Sequence, residues 1–175
     1  RNILIHLPVI FSWSLLNTYI KYFLSNFMNN NKLKSLKNGQ TDKDLLQVAD
    51  HLNININKID FINELFKDNN ILKDGNYIAN LDSKMHGTHW IAFIIYKDIL
   101  AYYDSFGFRM PNIIVNYCKK HNLKCYFSIN ETQELKEQIC GLYCILFLLL
   151  SSHNHIINKE TFNENLNEMK YWTIS

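Results

Sequence analysis

The sequence has few of the residues that mark disordered or fibrous chains, with only 5 glycines and 2 prolines among its 175 residues. Hydrophobic residues make up 47% of it and aromatic residues 14%, a composition typical of a globular protein. The length suffices for one well-buried domain and is short for two. We therefore expect residues 1–175 to form a single domain, with residues 1–40 as an N-terminal extension that no motif covers.

The sequence also lacks a strong charge of one sign and a long apolar run. Its formal net charge is +2, which is too small to indicate a nucleic-acid-binding surface by itself. The run Leu142 to Leu150 is too short to cross a bilayer. The apolar stretch Ile3 to Leu24 is interrupted by polar residues, and it has neither a basic region before it nor a small-residue cleavage site after it. We therefore expect no membrane segment and no secretion signal.

A metal-binding cysteine pattern is absent as well. No two of the four cysteines have CxxC spacing; they are Cys118, Cys125, Cys140 and Cys144. We therefore expect no zinc site. We also expect that the protein uses no other metal and no cofactor. Four thiols in a chain of this size indicate a reducing compartment, while two disulfides also fit the sequence.

What the sequence does contain is a pattern of helices and strands typical of an α+β protein. Thr41 is a good N-cap for a helix over Asp42 to Leu52, whose apolar residues form one stripe. Further helices are expected over residues 58–66, 111–120 and 159–170, strands over residues 77–81 and 124–129, and a β-hairpin over residues 89–104.

The predicted hairpin brings a histidine and a carboxylate together. If its turn is centred on Lys97 and Asp98, Ile91 lies opposite Asp104. His89 and Asp104 are then diagonal neighbours on one face, with Cβ atoms roughly 7–8 Å apart or somewhat less. Their side chains can close that gap to a hydrogen bond, whereas a register shifted by one residue sends them to opposite faces.

A candidate nucleophile lies where a polar loop meets an apolar helix. The stretch from Gln133 to Ser151, QELKEQICGLYCILFLLLS, changes character at a Cys-Gly step. A thiol at the first turn of a helix lies beside unpaired N–H groups and the positive end of the dipole, which favour the thiolate. Cys140 is therefore the candidate nucleophile. The alternative is a small core residue, because free cysteine is often buried.

These residue types can fill the roles that thiol catalysis requires. His89 can act as the base beside Cys140, and Asp104 can fix the tautomer of the imidazole. The side chain of Gln133, together with the backbone N–H of Cys140, can form an oxyanion hole.

Other residues compete for these roles. His86 is a second candidate base, in a segment that resembles a loop, and Gln138 competes with Gln133 for the oxyanion role. Each of these side chains can equally be an ordinary half-buried or solvated residue. Cys144, one helical turn beyond Cys140, is expected in the core.

Three segments resemble the active-site blocks of adenain, the adenovirus maturation protease, and of the wider clan that includes the SUMO-specific proteases. They are His89-Trp90, the segment Asp104 to Phe108 (DSFGF) and the segment Gln133 to Cys144. The spacing from Gln133 to Cys140 is similar to that of adenain, which favours Gln133 over Gln138. The segment Gly75 to His89 is similar to maturation proteases of virophages and Polinton-type elements. The abundance of Asn, Ile, Lys and Leu indicates an AT-rich genome, which fits a virophage.

The resemblance implies an adenain/SUMO-protease-like α+β fold, in which a small mixed sheet accompanies a buried central helix with the nucleophile at its N-terminus. It implies a viral cysteine endopeptidase, a thiol protease that cleaves capsid protein precursors during particle maturation, next to small residues such as Gly. Trp90 would lie over the substrate channel. The expected location is the virion or the viral factory in the host cytoplasm, and we expect a monomer that acts on a protein.

The chain departs from adenain in two respects. Adenain has Glu where this chain has Asp104, which is the residue of the SUMO-specific branch. Adenain is also stimulated by DNA and by a peptide that can bond to a cysteine. The weak positive charge and the different spacing at Cys125 do not support transferring either activator. Two other functions stay open, a deconjugating protease for ubiquitin-like modifiers and an inactive protease-like binding module.

Overall fold

The computed structural model describes residues 39–67, 71–81, 89–127, 131–133, 137–152 and 170–172. The strands are β1 (Lys58–Phe61), β2 (Gly75–Asn80), β3 (Trp90–Tyr96), β4 (Ile99–Tyr103), β5 (Lys124–Phe127) and β6 (Lys170–Trp172). The helices are α1 (Asp42–His51), α2 (Ile62–Leu65), α3 (Asn112–His121) and α4 (Cys140–Ser152). The helix proposed over residues 159–170 lies almost wholly outside the described residues, as does His86.

Within the described residues the strands form one mixed sheet in the order β1 to β6. The β1–β2 and β4–β5 pairs are parallel, and the other neighbouring pairs are antiparallel. Helices and a mixed sheet in this arrangement confirm the α+β class.

Different helices cover the two faces of the sheet. On one face, α1 and α4 pack against the central strands, and the residues from Leu142 to Leu146 in α4 are each at most 2% exposed. On the other face lie α2 and α3. Cys144 is fully buried within the first layer, as predicted. The apolar run of α4 is therefore a core element that fixes where its first residue, Cys140, lies.

The hairpin has the predicted register. Ala92 pairs with Tyr103, and Tyr96 pairs with Ile99. The turn residue Lys97 has a φ of 54°, a left-handed conformation that Gly or Asn adopts more readily. Its backbone N–H donates to both carboxylate oxygens of Asp74, at 3.0 and 3.1 Å. A side chain from outside the hairpin thus stabilises a turn sequence that is not itself a favoured one.

The helix predicted over residues 58–66 is wrong in its first half. Residues Lys58–Phe61 form β1, parallel to β2, and only Ile62–Leu65 are helical. The apolar residues fit helical spacing, but the edge of β2 offers backbone hydrogen bonds that outweigh a local preference. The same reason applies to Lys170, predicted as the end of a helix, which pairs with the edge of β5.

The cysteines differ in state. Cys118 in α3 and Cys125 in β5 form a disulfide. The expectation of free thiols therefore holds only for Cys140 and Cys144. None of the helices in the described ranges is both long and apolar enough to cross a bilayer.

Candidate active site

Three of the candidate residues meet where two strands and a helix come together. His89 directly precedes β3, Asp104 directly follows β4, and Cys140 is the first residue of α4. The register of the hairpin brings Nε2 of His89 to 3.0 Å from Oδ1 of Asp104. The hydrogen bond expected from the diagonal arrangement is therefore present in the structure.

The carboxylate of Asp104 is completely buried and fully engaged. Besides His89, the backbone N–H of Phe106 donates to Oδ1 at 2.8 Å, and the hydroxyl of Tyr102 donates to Oδ2 at 3.3 Å. Burial and the nearby carboxylate raise the pKa of Tyr102, so its hydroxyl remains a donor. These donors replace the water that burial removes and fix the direction in which the carboxylate faces the imidazole.

A hydrogen bond and a ring-stacking contact hold the imidazole of His89 in place. Nε2 is engaged by Asp104, and the ring stacks on Phe106 with centroids 4.8 Å apart. Nδ1 is buried and makes no hydrogen bond of good geometry to the described residues. Nδ1 is thus the ring nitrogen that is left for Cys140, and catalytic hydrogen bonds are often long before substrate binds.

The environment of His89 favours its charged form. Burial lowers the pKa of His89, but the side chains of Asp104 and Cys140 outweigh burial and raise that pKa to about 9. At neutral pH the ring is therefore an imidazolium, with an N–H at Nδ1 for a sulfur or for a leaving group.

Cys140 occupies the first turn of α4, and the residue is partly exposed. The backbone N–H of Trp90 donates to its Sγ at 3.4 Å. Of the N–H groups in this turn, those of Leu142 and Tyr143 donate to the carbonyl of Ile139, at 3.0 and 3.2 Å. No acceptor among the described residues takes the N–H of Cys140 itself. That N–H can therefore donate to the oxyanion that forms on a carbonyl oxygen when Sγ attacks the carbonyl carbon.

Gln133 is buried with both ends of its amide engaged. It is 1% exposed; Oε1 accepts from the hydroxyl of Ser105 at 2.7 Å, and Nε2 donates to the carbonyl of Glu137 at 2.7 Å. A carbonyl only accepts, so nitrogen must face Glu137, and the amide orientation follows. Nε2 carries a second N–H, but no hydrogen bond joins Gln133 to Cys140 among the described contacts. The oxyanion role of Gln133 stays a prediction, and Gln138 is the weaker candidate because its side chain is exposed.

Trp90 connects the site to a residue that the sequence did not indicate. Its indole N–H donates to the backbone carbonyl of Gln40 at 2.9 Å. The side-chain amide of Gln40 accepts from the N–H of Gly141 at 3.1 Å and donates to the carbonyl of Gln138 at 2.8 Å. The channel role of Trp90 stays a prediction, but its ring is held in place.

Sequence reasoning missed Gln40 and Ser105 for different reasons. Gln40 belongs to no motif, and the partners of its side chain lie about a hundred positions away in the chain, so no local pattern could have indicated it. Ser105 lies inside the DSFGF segment, and its place beside the acid was a usable signal.

Among the described residues, no group of three or more His, Cys, Asp or Glu side chains could hold a metal ion. A comparison of the chain with family models finds no match, and a comparison with curated protein sequences finds no significant relative.

Proposed function

We propose that the chain is a cysteine endopeptidase with Cys140 as nucleophile, His89 as general base and acid, and Asp104 as the residue that orients His89. One observation carries the proposal. Nε2 of the buried His89 is hydrogen-bonded to the buried carboxylate of Asp104 at 3.0 Å. The pKa of His89 is raised partly by the thiol of Cys140, which is the first residue of a buried helix. Each element serves thiol catalysis, and a merely structural histidine needs only one of them.

The proposed reaction uses the site in two steps. Sγ of Cys140 attacks the carbonyl carbon of the scissile bond, and the oxygen becomes an oxyanion that accepts from the N–H of Cys140 and the amide of Gln133. The carbonyl re-forms, the C–N bond breaks, and Nδ1–H of His89 gives its proton to the leaving amine. His89 then takes a proton from water as that water attacks the thioester, and the thiolate leaves.

The resemblance supports a more specific proposal. The three blocks that resemble adenain-like proteases are separate in the sequence, and their residues meet at one place in this fold. On that basis we propose the adenain/SUMO-protease-like fold and a viral capsid precursor as substrate, cut next to a small residue in the virion or the viral factory. Trp90 would border the channel that admits this residue.

The test is cleavage of the capsid protein encoded by the same genome. We expect the wild type to cut it and Cys140→Ala not to cut it, with the new termini read by mass spectrometry. Cys144→Ala is the matched control, because it removes a thiol one turn further along α4 and leaves the site intact. Cutting by Cys140→Ala would contradict the proposal. Labelling of Cys140 by a modifier-based thiol probe, without capsid cleavage, would favour a deconjugating protease.

A further inference from the structure

The first turn of α4 has an unusual residue at its N-cap position. Ile139 is that residue, because its carbonyl accepts from the N–H of Tyr143 at 3.2 Å. N-cap side chains normally accept a hydrogen bond from an N–H two or three residues further on, and Ile has no acceptor. At α4 the acceptor comes from elsewhere in the chain, because the N–H of Gly141 donates to Oε1 of Gln40 at 3.1 Å.

The nitrogen of the same amide bonds to the loop on the other side of Cys140. Nε2 of Gln40 donates to the carbonyl of Gln138 at 2.8 Å. An N–H donor at Gly141 requires the amide oxygen and a carbonyl at Gln138 requires the nitrogen, so only one orientation satisfies both. Gln40 thereby connects the residue after Cys140 to the residue two before it.

The backbone of Gln40 reaches a third segment. Its carbonyl accepts from the indole N–H of Trp90, and the backbone N–H of Trp90 donates to Sγ of Cys140. Trp90 directly follows His89. Gln40 is itself buried, at 8% exposed. One residue therefore fixes the spacing between the helix of the nucleophile and the strand of the base.

The residue type suits a site that must hold a thiolate. Asp is a common N-cap, but its carboxylate beside Cys140 would repel a negative sulfur and favour the neutral thiol. A glutamine amide accepts the same hydrogen bond without a charge. It also donates to the loop, which a carboxylate cannot do.

We propose that Gln40 is a positioning residue for Cys140, which sets the first turn of α4 against the loop before it and against the Trp90 segment. The role rests on the proposed cysteine-protease function, although the positioning of the thiol can be measured without any substrate. It also assigns the end of the 1–40 segment to the site.

The test compares Gln40→Met, Gln40→Glu and the wild type, with Gln47→Met as the matched control at an exposed position of α1. The first readout is the rate at which iodoacetamide alkylates Cys140 as a function of pH, with the modified residue identified by mass spectrometry. The second is kcat and KM on the cleavable substrate, and the third is thermal unfolding. Titratable groups described near Cys140 include His89, Asp104 and Cys144, together with Glu137, whose carboxylate accepts from the hydroxyl of Tyr143, and they are the same in every variant.

We expect the two substitutions of Gln40 to differ. Gln40→Met keeps the length of the side chain but neither accepts from Gly141 nor donates to Gln138, and kcat should fall roughly 10- to 100-fold with little change in KM. Gln40→Glu keeps the acceptor and adds a negative charge, so the pH of half-maximal alkylation should rise by roughly 1–2 pH units. Gln47→Met should behave as the wild type in every readout.

Two results would overturn the proposal. One is a folded Gln40→Met protein with the kcat of Gln47→Met, even if its melting temperature is lower, because Gln40 would then be structural only. The other is a Gln40→Glu alkylation profile that coincides with the wild-type profile, and this readout decides alone if Gln40→Met does not fold. If the pH profile of Cys140 alkylation in Gln40→Glu differs from the wild-type profile but the wild type cleaves no protein, the positioning role is supported and the protease proposal fails.

Discussion

Ser105 donates its hydroxyl to Oε1 of Gln133 at 2.7 Å, and its backbone carbonyl accepts from the N–H of Gln133 at 3.0 Å. Ser105 directly follows Asp104 in the chain. Asp104 is hydrogen-bonded to His89, and the next residue, Ser105, holds Gln133, the proposed oxyanion donor. Because all of these groups are buried, the end of β4 sets the imidazole of His89 and the loop of Gln133 against each other.

Removing the Ser105 hydroxyl should impair the proposed oxyanion step while leaving the Cys140–His89 pair intact. Ser105→Ala leaves Oε1 of Gln133 buried without a donor, which costs about 1–3 kcal/mol of stability. We expect kcat to fall roughly 10-fold or more and the alkylation rate of Cys140 to stay unchanged. Ser151→Ala is the control, since Ser151 donates only to the carbonyl of Phe147 within α4. Equal kcat values for the two variants would contradict this role of Ser105.

Exchanging the carboxylate of Asp104 for an amide should disable the base. In Asp104→Asn the amide nitrogen can donate to Nε2 of His89, which favours the wrong tautomer and no longer stabilises the imidazolium. We expect kcat to fall roughly 10²- to 10⁴-fold, together with slower alkylation of Cys140 at neutral pH. The same substitution at Asp98, an exposed turn residue paired with Lys124, is the control. Near wild-type activity in Asp104→Asn would rule out the orienting role.

The hairpin and the start of α4 were predictable because short-range patterns specify them. The turn at Lys97 and Asp98 sets which residues pair, and a polar-to-apolar boundary marks where Cys140 begins its helix. Both predictions depend on residues close in sequence. The position of His89 against Asp104 follows from the register of the hairpin.

The strand β1 and the contacts of Gln40 were not predictable in this way. β1 exists because the edge of β2 pairs with it, and nothing within Lys58–Phe61 distinguishes a strand from a helix. Gln40 reaches Gly141 across 101 positions of the sequence. Such contacts depend on the packing of α1 against α4, which only the folded chain supplies. The sequence therefore predicts the candidate site residues better than it predicts the residues that hold them in place.

The raised pKa of His89 predicts how activity responds to alkaline pH. The imidazolium must be present to protonate the leaving amine, so we expect kcat/KM, which reports the groups of the free enzyme, to decline as pH rises through about 9. The pH–rate profile of the wild type on a peptide substrate measures this directly. A decline centred near pH 7 would show that Asp104 and Cys140 do not hold the proton on His89.

The raised pKa of His89 also predicts that the free energy of unfolding decreases at high pH. In the range between its ordinary pKa of 6.5 and about 9, His89 binds a proton in the folded chain but not in the unfolded one. Its contribution to stability is therefore complete below pH 6.5 and is lost as pH rises through about 9. We expect urea unfolding to show a larger decrease in wild-type stability than in His89→Gln stability between pH 7 and pH 10. Parallel decreases would assign the loss to other groups.

At Gly141 the first turn of α4 lies close against a side chain of α1. A Cβ built on it would lie 2.7 Å from Cδ2 of Leu45 and 3.0 Å from Oε1 of Gln40. Gly141→Ala must therefore displace Leu45 or the capping amide, and we expect kcat to fall roughly 10- to 100-fold because the first turn of α4 shifts. Shortening the neighbour in the double variant Gly141→Ala with Leu45→Val should restore part of that kcat. Full activity in Gly141→Ala alone would mean that this turn tolerates displacement, and the close packing around Cys140 would then not set its reactivity.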